Sequence, residues 1–563
     1  MSSSDAPHGG EVPRRTFLAT AAAVSLSAAL PASVVREGAR GARRGRAVPT
    51  AAQAAWQDLE IGMFVHFAPN TWTDKEYDDL SLSPADVVTD VDAEQWADVA
   101  VSLGAKYVVL VAKHAGGYCL WQTDTTDYSI KNSPWKGGRG DAMADLSRAC
   151  KARGLGLGVY LSPRDDKHGA GVSGRCKTPE AQAAYDTLYR QQLTEVLGRY
   201  GPIVELWLDG NSVVPTGDIV ARLQPDTMVF QGPQATIRWV GNEDGFAPYP
   251  CWNTLRAEDA VGGSATALQG DPDGDVWVPV ESDVSVRRPD WFWSTTDEKN
   301  LLSLEEMVEI YYRSVGHGTQ LLLNFPPDRT GRIPVADAAR AREFGDLIRH
   351  RFGTPVAEVS GHGKKLTIEF GVERRVDHVV LQEDIAQGER VRSYEIEARI
   401  DDKWRVIGAG SAIGQKHIQP IGGVVADALR LHVRHNDGTP QLRRVAVYDV
   451  GAEPPKTWNA RPELTGDDVV AEWTGDRFDL DLTTHIDRAA QYRIRFAGIH
   501  GEPVQVQWIE LLEGGDSSPQ LMTREKRRKD AFLISVPELG RTVMVRGRVL
   551  GADAGKILLR RGS

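Results

Sequence analysis

From Ile61 to Phe352 the chain alternates short, almost wholly apolar runs with amphipathic stretches of helical period, and nothing else in the sequence restricts its fold as strongly. The apolar runs are 61–67 (IGMFVHF), 106–113 (KYVVLVAK), 156–162 (GLGVYLS), 203–209 (IVELWLD), 227–231 (TMVFQ), 276–281 (VWVPVE) and 320–325 (QLLLNF). Helical period marks residues near 93–103, 141–153, 180–199, 304–315 and 334–351. A strand that is apolar at nearly every position is buried on both faces, as in a parallel sheet sheathed by helices. Roughly 300 residues of such alternation predict a (β/α)8-like barrel with one or two irregular units. Residues 232–275, rich in Gly, Pro and Asp, form the irregular sixth unit. An open doubly wound sheet is the alternative, but no GxGxxG follows the first run.

The ends of the runs carry the chemistry. They finish in His66, Lys113-His114, Tyr160-Leu161-Ser162, Asp209, Gln231, Glu281 and Asn324. Barrel enzymes react at the C-terminal ends of their strands, so polar groups repeated there predict an active-site rim. No GxSxG elbow, HExxH helix or phosphate loop occurs. His66 and His114 lack a well-spaced third ligand, so neither a metal nor an organic cofactor is expected. What remains is carboxylates among Trp, His, Tyr and Asn, the composition of a sugar site. Trp is as frequent (15) as Tyr (14) or Phe (13), and indole faces suit sugar C–H groups. The 77 acidic residues outnumber the 66 basic ones, which excludes nucleic acid and anionic membrane surfaces as partners.

Glycoside hydrolysis uses two carboxyl groups, about 5–5.5 Å apart when one is the nucleophile. Asp209, in Glu205-Leu206-Trp207-Leu208-Asp209-Gly210, ends an apolar strand with Trp207 on the same face, and Gly210 lets a substrate approach. It is the expected nucleophile. The partner acid should come from a neighbouring loop. Glu243, in Arg238-Trp239-Val240-Gly241-Asn242-Glu243, is best placed, while spacing alone leaves Glu281, Asp244 and Asp283 open.

Over residues 55–350 these blocks resemble the α-L-fucosidases of glycoside hydrolase family 29. The likeness rests on Gly62 to Phe67, Ala112-Lys113-His114 through Leu120-Trp121, Gly158 to Pro163, Glu205 to Gly210, and Leu322 to Pro327, in this order. The Arg238–Glu243 block is similar to the subfamily acting on α-1,3/1,4-linked fucose of branched, Lewis-type glycans. The resemblance implies Asp209 as nucleophile and Glu243 as acid/base. It further implies that His66, Glu76, His114, Trp121, Tyr160 and Trp207 hold fucose, with Trp291 or Trp293 near its methyl. Two departures stand out. Members often read Lys-His-His-Asp-Gly-Phe where this chain has Lys113-His114-Ala115-Gly116-Gly117-Tyr118, and Arg164 stands where many place Trp. The first removes one fucose-facing imidazole and puts the hydroxyl contacts there in question, and both leave the two carboxyls untouched.

Past Gly353 the helical period gives way to alternating runs at 365–370, 376–381, 391–400, 403–407, 427–435 and 443–450. Val379 to Asp384 and Val391 to Tyr394 resemble the discoidin-like (coagulation factor 5/8 type C) β-sandwich. Pro454-Pro455 reads as a linker before further strands at 490–497, 503–511, 542–549 and 556–561, a second small sandwich. The basic run 524–529 reads as a solvated turn. Ahead of the barrel, Arg14-Arg15 and the Ala-rich stretch Phe17–Val35 resemble a twin-arginine export signal, with 36–55 a loose linker and Ala32 or Ala47 a cleavage point. No later segment is apolar enough to span a membrane. Cys119, Cys150, Cys176 and Cys251 show no CxxC spacing and are expected as buried thiols, although export permits a disulfide.

The expected organisation is therefore multidomain. A signal and linker (1–47) precede a (β/α)8-like catalytic barrel (48–353), a discoidin-like sandwich (354–453) and a second sandwich (454–563). The expected function is a secreted, retaining exo-α-L-fucosidase acting on fucosylated oligosaccharides. A barrel glycosidase for another deoxy sugar or a galactoside, and a non-catalytic secreted lectin, are the rivals.

Overall fold

Eight parallel strands, neighbours in the order β5-β4-β3-β2-β1-β8-β7-β6, curl into a barrel. They are β1 (Ile61–Val65), β2 (Tyr107–Lys113), β3 (Gly156–Leu161), β4 (Ile203–Trp207), β5 (Met228–Phe230), β6 (Arg238–Trp239), β7 (Val280–Ser285) and β8 (Gln320–Asn324). A single parallel bridge, Phe230 to Ile237, joins the first and last strands of that order and almost closes the ring. This computed structural model describes residues 46–260, 262, 269–451 and, between 468 and 561, eight strands together with Leu482. The expected export signal and the Pro454-Pro455 linker lie outside the described residues, as do residues 526–529 of the basic run.

Strand alternation explains why the runs are apolar throughout. Met63, Val65, Val108, Leu110 and Ala112 pack outward under the helices, whereas Phe64, Tyr107, Val109, Val111 and Leu322 fill the barrel interior. The inward position Gly62 stays side-chain-free because a Cβ there would collide with Tyr107 and Leu322. Helices Ala93–Leu103, Ala142–Arg153, Pro179–Arg199, Leu304–Arg313 and Val335–Phe352 begin within a residue of expectation. The first three are capped by Asp92, Asp141 and Thr178, whose side chains accept the free N–H groups of the first turn.

Three sequence readings need correction. The seventh barrel strand is Val280–Ser285. Val276–Trp277, placed in that strand, instead forms a small antiparallel ladder with Thr254–Leu255. Residues 50–55 are not loose linker. Thr50 and Gln53 form a capping box for helix Ala51–Gln57, and Trp56 seals the lower end of the barrel. The irregular unit also hides β6, whose two residues are too few to show a period. All four cysteines are free thiols, three buried and Cys176 partly so.

The next domain is one six-stranded antiparallel sheet around its own apolar core. Its longest strands, Lys365–Glu383 and His417–Asn436, pass through register shifts that let them bend. Two four-stranded antiparallel sheets follow, and Phe478 of one meets Phe496 of the other at 4.8 Å. The six-stranded domain is joined to the barrel by apolar packing, with Val380, Ile418, Ala446 and Tyr448 entering the barrel's core, and by polar and aromatic contacts. Lys416 pairs with Glu60 at 2.7 Å, Gln415 donates to Asp58 at 2.6 Å, and Tyr249 of the barrel stacks on His417 at 4.4 Å. No helix among the described residues is long and apolar enough to cross a membrane.

Candidate active site

Aromatic rings form the floor at the C-terminal end of the barrel. Trp207, the last residue of β4, stacks on Phe230 at 3.7 Å and on Tyr160 at 5.6 Å, and Tyr160 stacks on His114 at 5.9 Å. His66 lies 5.1 Å from Trp291 and 6.2 Å from His114. Phe292 sits edge-on to both imidazoles, 5.3 and 5.0 Å away. Each ring comes from a different strand end or from the loop after β7, so the barrel itself sets their spacing.

Asp209 rises from this floor into solvent. The Tyr160 hydroxyl donates to its Oδ2 at 2.9 Å. The chain then turns at Gly210, whose φ of 86° suits glycine, and the Gly210 N–H donates to Gln231 at 2.5 Å. Both imidazoles are neutral near pH 7. Burial lowers His114 to about 4, and burial together with His114 holds His66 well below its ordinary value. His66 Nδ1 is hydrogen-bonded to Asn324 at 2.8 Å, whereas His114 Nδ1 meets no protein partner. A buried, unpartnered nitrogen facing such a floor is available to a hydroxyl group.

The four candidate acids occupy different environments. Glu243 stands open to solvent, yet the protein around it raises its pKa, Arg288 opposes that rise and the Asp209 charge adds to it. The neighbouring Trp291 indole also opposes the rise. Asp244 turns outward to Arg288 at 2.9 Å. Asp283 is buried, accepts the Trp239 indole N–H at 2.5 Å, and is pushed up to about 8 by burial and by Glu243. Glu281 is not a rim residue. The shifted strand places it inside the barrel, where it accepts from Trp207 at 2.7 Å and Tyr107 at 3.2 Å. Beside it lies Glu205, which accepts from Trp56 at 2.9 Å, and burial raises both acids.

Of the other expected contacts, Glu76 reaches the site. It accepts the Trp291 backbone N–H at 3.0 Å, and burial holds its carboxyl at about 8. Trp121 does not reach it. That indole is fully buried between the β2 loop and helix Pro179–Arg199 and donates to Glu195 at 2.8 Å, because Leu120-Trp121 continues the apolar packing of the strand. Trp293 also turns away, its ring 5.7 Å from the Arg329 guanidinium, which leaves Trp291 as the indole that the loop after β7 brings to the site. The Asp78 carboxyl fills the space a side chain at Gly116 would take, and Tyr128 donates to it at 2.5 Å. Arg164 is held by two 2.8 Å bonds to Asp166 and lies 5.3 Å from the Tyr77 ring. Nothing in the sequence singles out Phe292, because three consecutive aromatics outside regular structure give no period from which to read a facing side. Among the described residues one His/Glu cluster, Glu395, Glu397 and His432, has metal-ligand spacing, but Arg430 and Arg434 already occupy its carboxylates.

An acid of raised pKa and a solvent-facing carboxyl ordered by a tyrosine, above an aromatic floor at the strand ends of a barrel, place the protein among the glycoside hydrolases. A family profile described as Alpha-L-fucosidase matches residues 73–351. Alpha-L-fucosidase 1 of Arabidopsis thaliana is 31% identical over 454 residues, covering 71% of this chain and 87% of the relative. A glycoside hydrolase 29 family member from an unknown rumen bacterium superposes with a TM-score of 0.67 at 26% identity, covering 90% of this chain and 97% of that one. A Ruminococcus gnavus family 29 fucosidase in complex with fucose gives 0.64 at 27% identity, covering 73% and 96%. The chain belongs to the α-L-fucosidase family, glycoside hydrolase family 29.

Proposed function

We propose that the protein is a secreted, retaining exo-α-L-fucosidase that removes α-1,3/1,4-linked fucose from branched, Lewis-type glycans. The observation that carries this reading is the pairing of Asp209, ordered by Tyr160, with Glu243, an acid of raised pKa close enough to sense the Asp209 charge. Asp209 attacks the anomeric carbon while Glu243 protonates the leaving oxygen. Water then cleaves the fucosyl-enzyme with Glu243 acting as base. Neutral His66 and His114 bind hydroxyls without drawing charge from Asp209. Glu76, protonated below about pH 8, can donate to a further hydroxyl, and Trp291 with Phe292 forms the apolar wall for the methyl group. No step calls on a metal or an organic cofactor.

The linkage preference rests on the likeness of the Arg238–Glu243 block, and export rests on Arg14-Arg15 and the Ala-rich stretch after them. The discoidin-like reading of the six-stranded domain is of the same kind, and its barrel contacts support a buttressing role. Hydrolysis of an aryl α-L-fucoside, an aryl β-D-galactoside and Lewis-type trisaccharides tests the reading. Turnover of the fucoside and the trisaccharides is expected. Cleavage of the galactoside alone would overturn it.

A further inference from the structure

The loop that presents Glu243 has little backbone support. Its strand, β6, is two residues long, bonded to the neighbouring chain by Arg238 N–H to Pro279 O and Val240 N–H to Glu281 O, each 2.9 Å. Side chains add the rest. Arg238 is buried beneath, donating to Trp252 O at 2.5 Å and Val278 O at 3.2 Å. Trp239 projects to the other side and donates its indole N–H to Asp283 at 2.5 Å. Alternation along β7 turns Glu281 and Asp283 inward together, and each receives an indole, Trp207 or Trp239.

Resting on the fucosidase reading, we infer that Asp283 is a positioning residue, gripping the acid/base loop through the Trp239 indole. Three features make it a grip rather than a reacting group. It is buried while Glu243 is open to solvent. One of its oxygens is already taken by the indole. No Lys or Arg among the described residues pairs with it, and the charged groups that face it, Glu243, Asp209 and Glu281, are all acids. A buried carboxyl so placed keeps its proton, in agreement with its value of about 8. In that form it accepts from Trp239 without adding a negative charge beside the two reacting groups.

A loosened acid/base loop handicaps leaving groups that need a proton and spares those that do not. The kcat/KM values, which report the first step alone, on a fucosylated trisaccharide and on a dinitrophenyl α-L-fucoside, for the full chain and for Asp283→Leu, Asp283→Asn and Trp239→Phe, test the grip. Asp283→Leu and Trp239→Phe should each lose about 10–100-fold on the trisaccharide and only a few-fold on the aryl fucoside. Asp283→Asn, which keeps the acceptor oxygen, should recover most of that loss. Equal losses on the two substrates, or an Asn variant as poor as the Leu variant, would overturn the inference. If Asp283→Leu does not fold, Trp239→Phe with Asp283→Asn decides alone. Failure of the unaltered protein on the aryl fucoside would instead strike the fucosidase reading.

Discussion

Two groups of acids line the barrel from its interior to its mouth, and their depths separate their tasks. Glu205 and Glu281 lie low, fully buried, and bonded to indole N–H groups. Asp209 and Glu243 stand at the strand ends, both reached by solvent. The residue types are the same. Depth decides which acids hold aromatic rings in place and which can meet a substrate, and Asp283 lies between the two groups.

The largest effect should come from the upper pair. Asp209→Gly should lower turnover by at least about 10⁴-fold with little loss of thermal stability. External azide should restore a product of inverted anomeric configuration, and loss of fold without rescue would assign Asp209 to structure. Glu243→Ala should cost about 10²–10⁴-fold on an oligosaccharide and far less in the first step with an activated aryl fucoside. A raised pKa keeps this acid protonated to higher pH, so the basic limb of the kcat/KM profile should flatten in the variant.

The lower pair should affect stability more than chemistry. Glu281→Leu removes the acceptor for Trp207 and tilts the floor, and should reduce activity about tenfold while lowering the unfolding temperature. Glu205→Gln should leave activity nearly intact and change how stability responds to pH. The folded state raises the Glu205 pKa above its unfolded value near 4.3, so it binds more protons than the unfolded chain as pH climbs past that value. The wild-type protein should therefore lose stability from about pH 4.3 upward, and thermal melts of Glu205→Gln should show a shallower decline. A steeper decline would mean that Glu205 is ionised in the fold.

The smallest effect belongs to the domain contact. Glu389 accepts from Asn253 Nδ2 at 2.8 Å, ten residues beyond Glu243. Glu389→Gln should weaken this bond and lower trisaccharide turnover only a few-fold, measured against an unchanged circular dichroism spectrum. No change would confine the contact to domain docking.

How far the sequence reveals this follows from how regular each part is. Strands β1 to β4 and the helix Ala93–Leu103 are legible because apolar period and capping Asp agree. Asp209, His66, His114 and Tyr160 are legible because they end such strands. The loop after β7 is not: it has no period, and only packing against His66 shows that Trp291 and not Trp293 faces the site. The inward position of Glu281 is illegible for a related reason. Val276 to Val280 is a continuous apolar run, and Pro279 within it hides the point where the barrel strand begins.

The grip of the six-stranded domain on the segment after Glu243 bears on when the site comes into being. Tyr249 donates to Ala412 O across 163 residues, and Asn253 to Glu389 across 136. Contacts so distant along the chain close late, because loop closure must precede them. During synthesis the nucleophile side of the barrel can settle as soon as its own strands are made, but the segment after Glu243 waits for residues near 412 to emerge. A ribosome that stalls within the second domain would thus release a barrel lacking the contacts that secure this segment. Such a chain could retain sugars in its aromatic floor while cleaving them poorly, a sugar-binding by-product of an unfinished hydrolase.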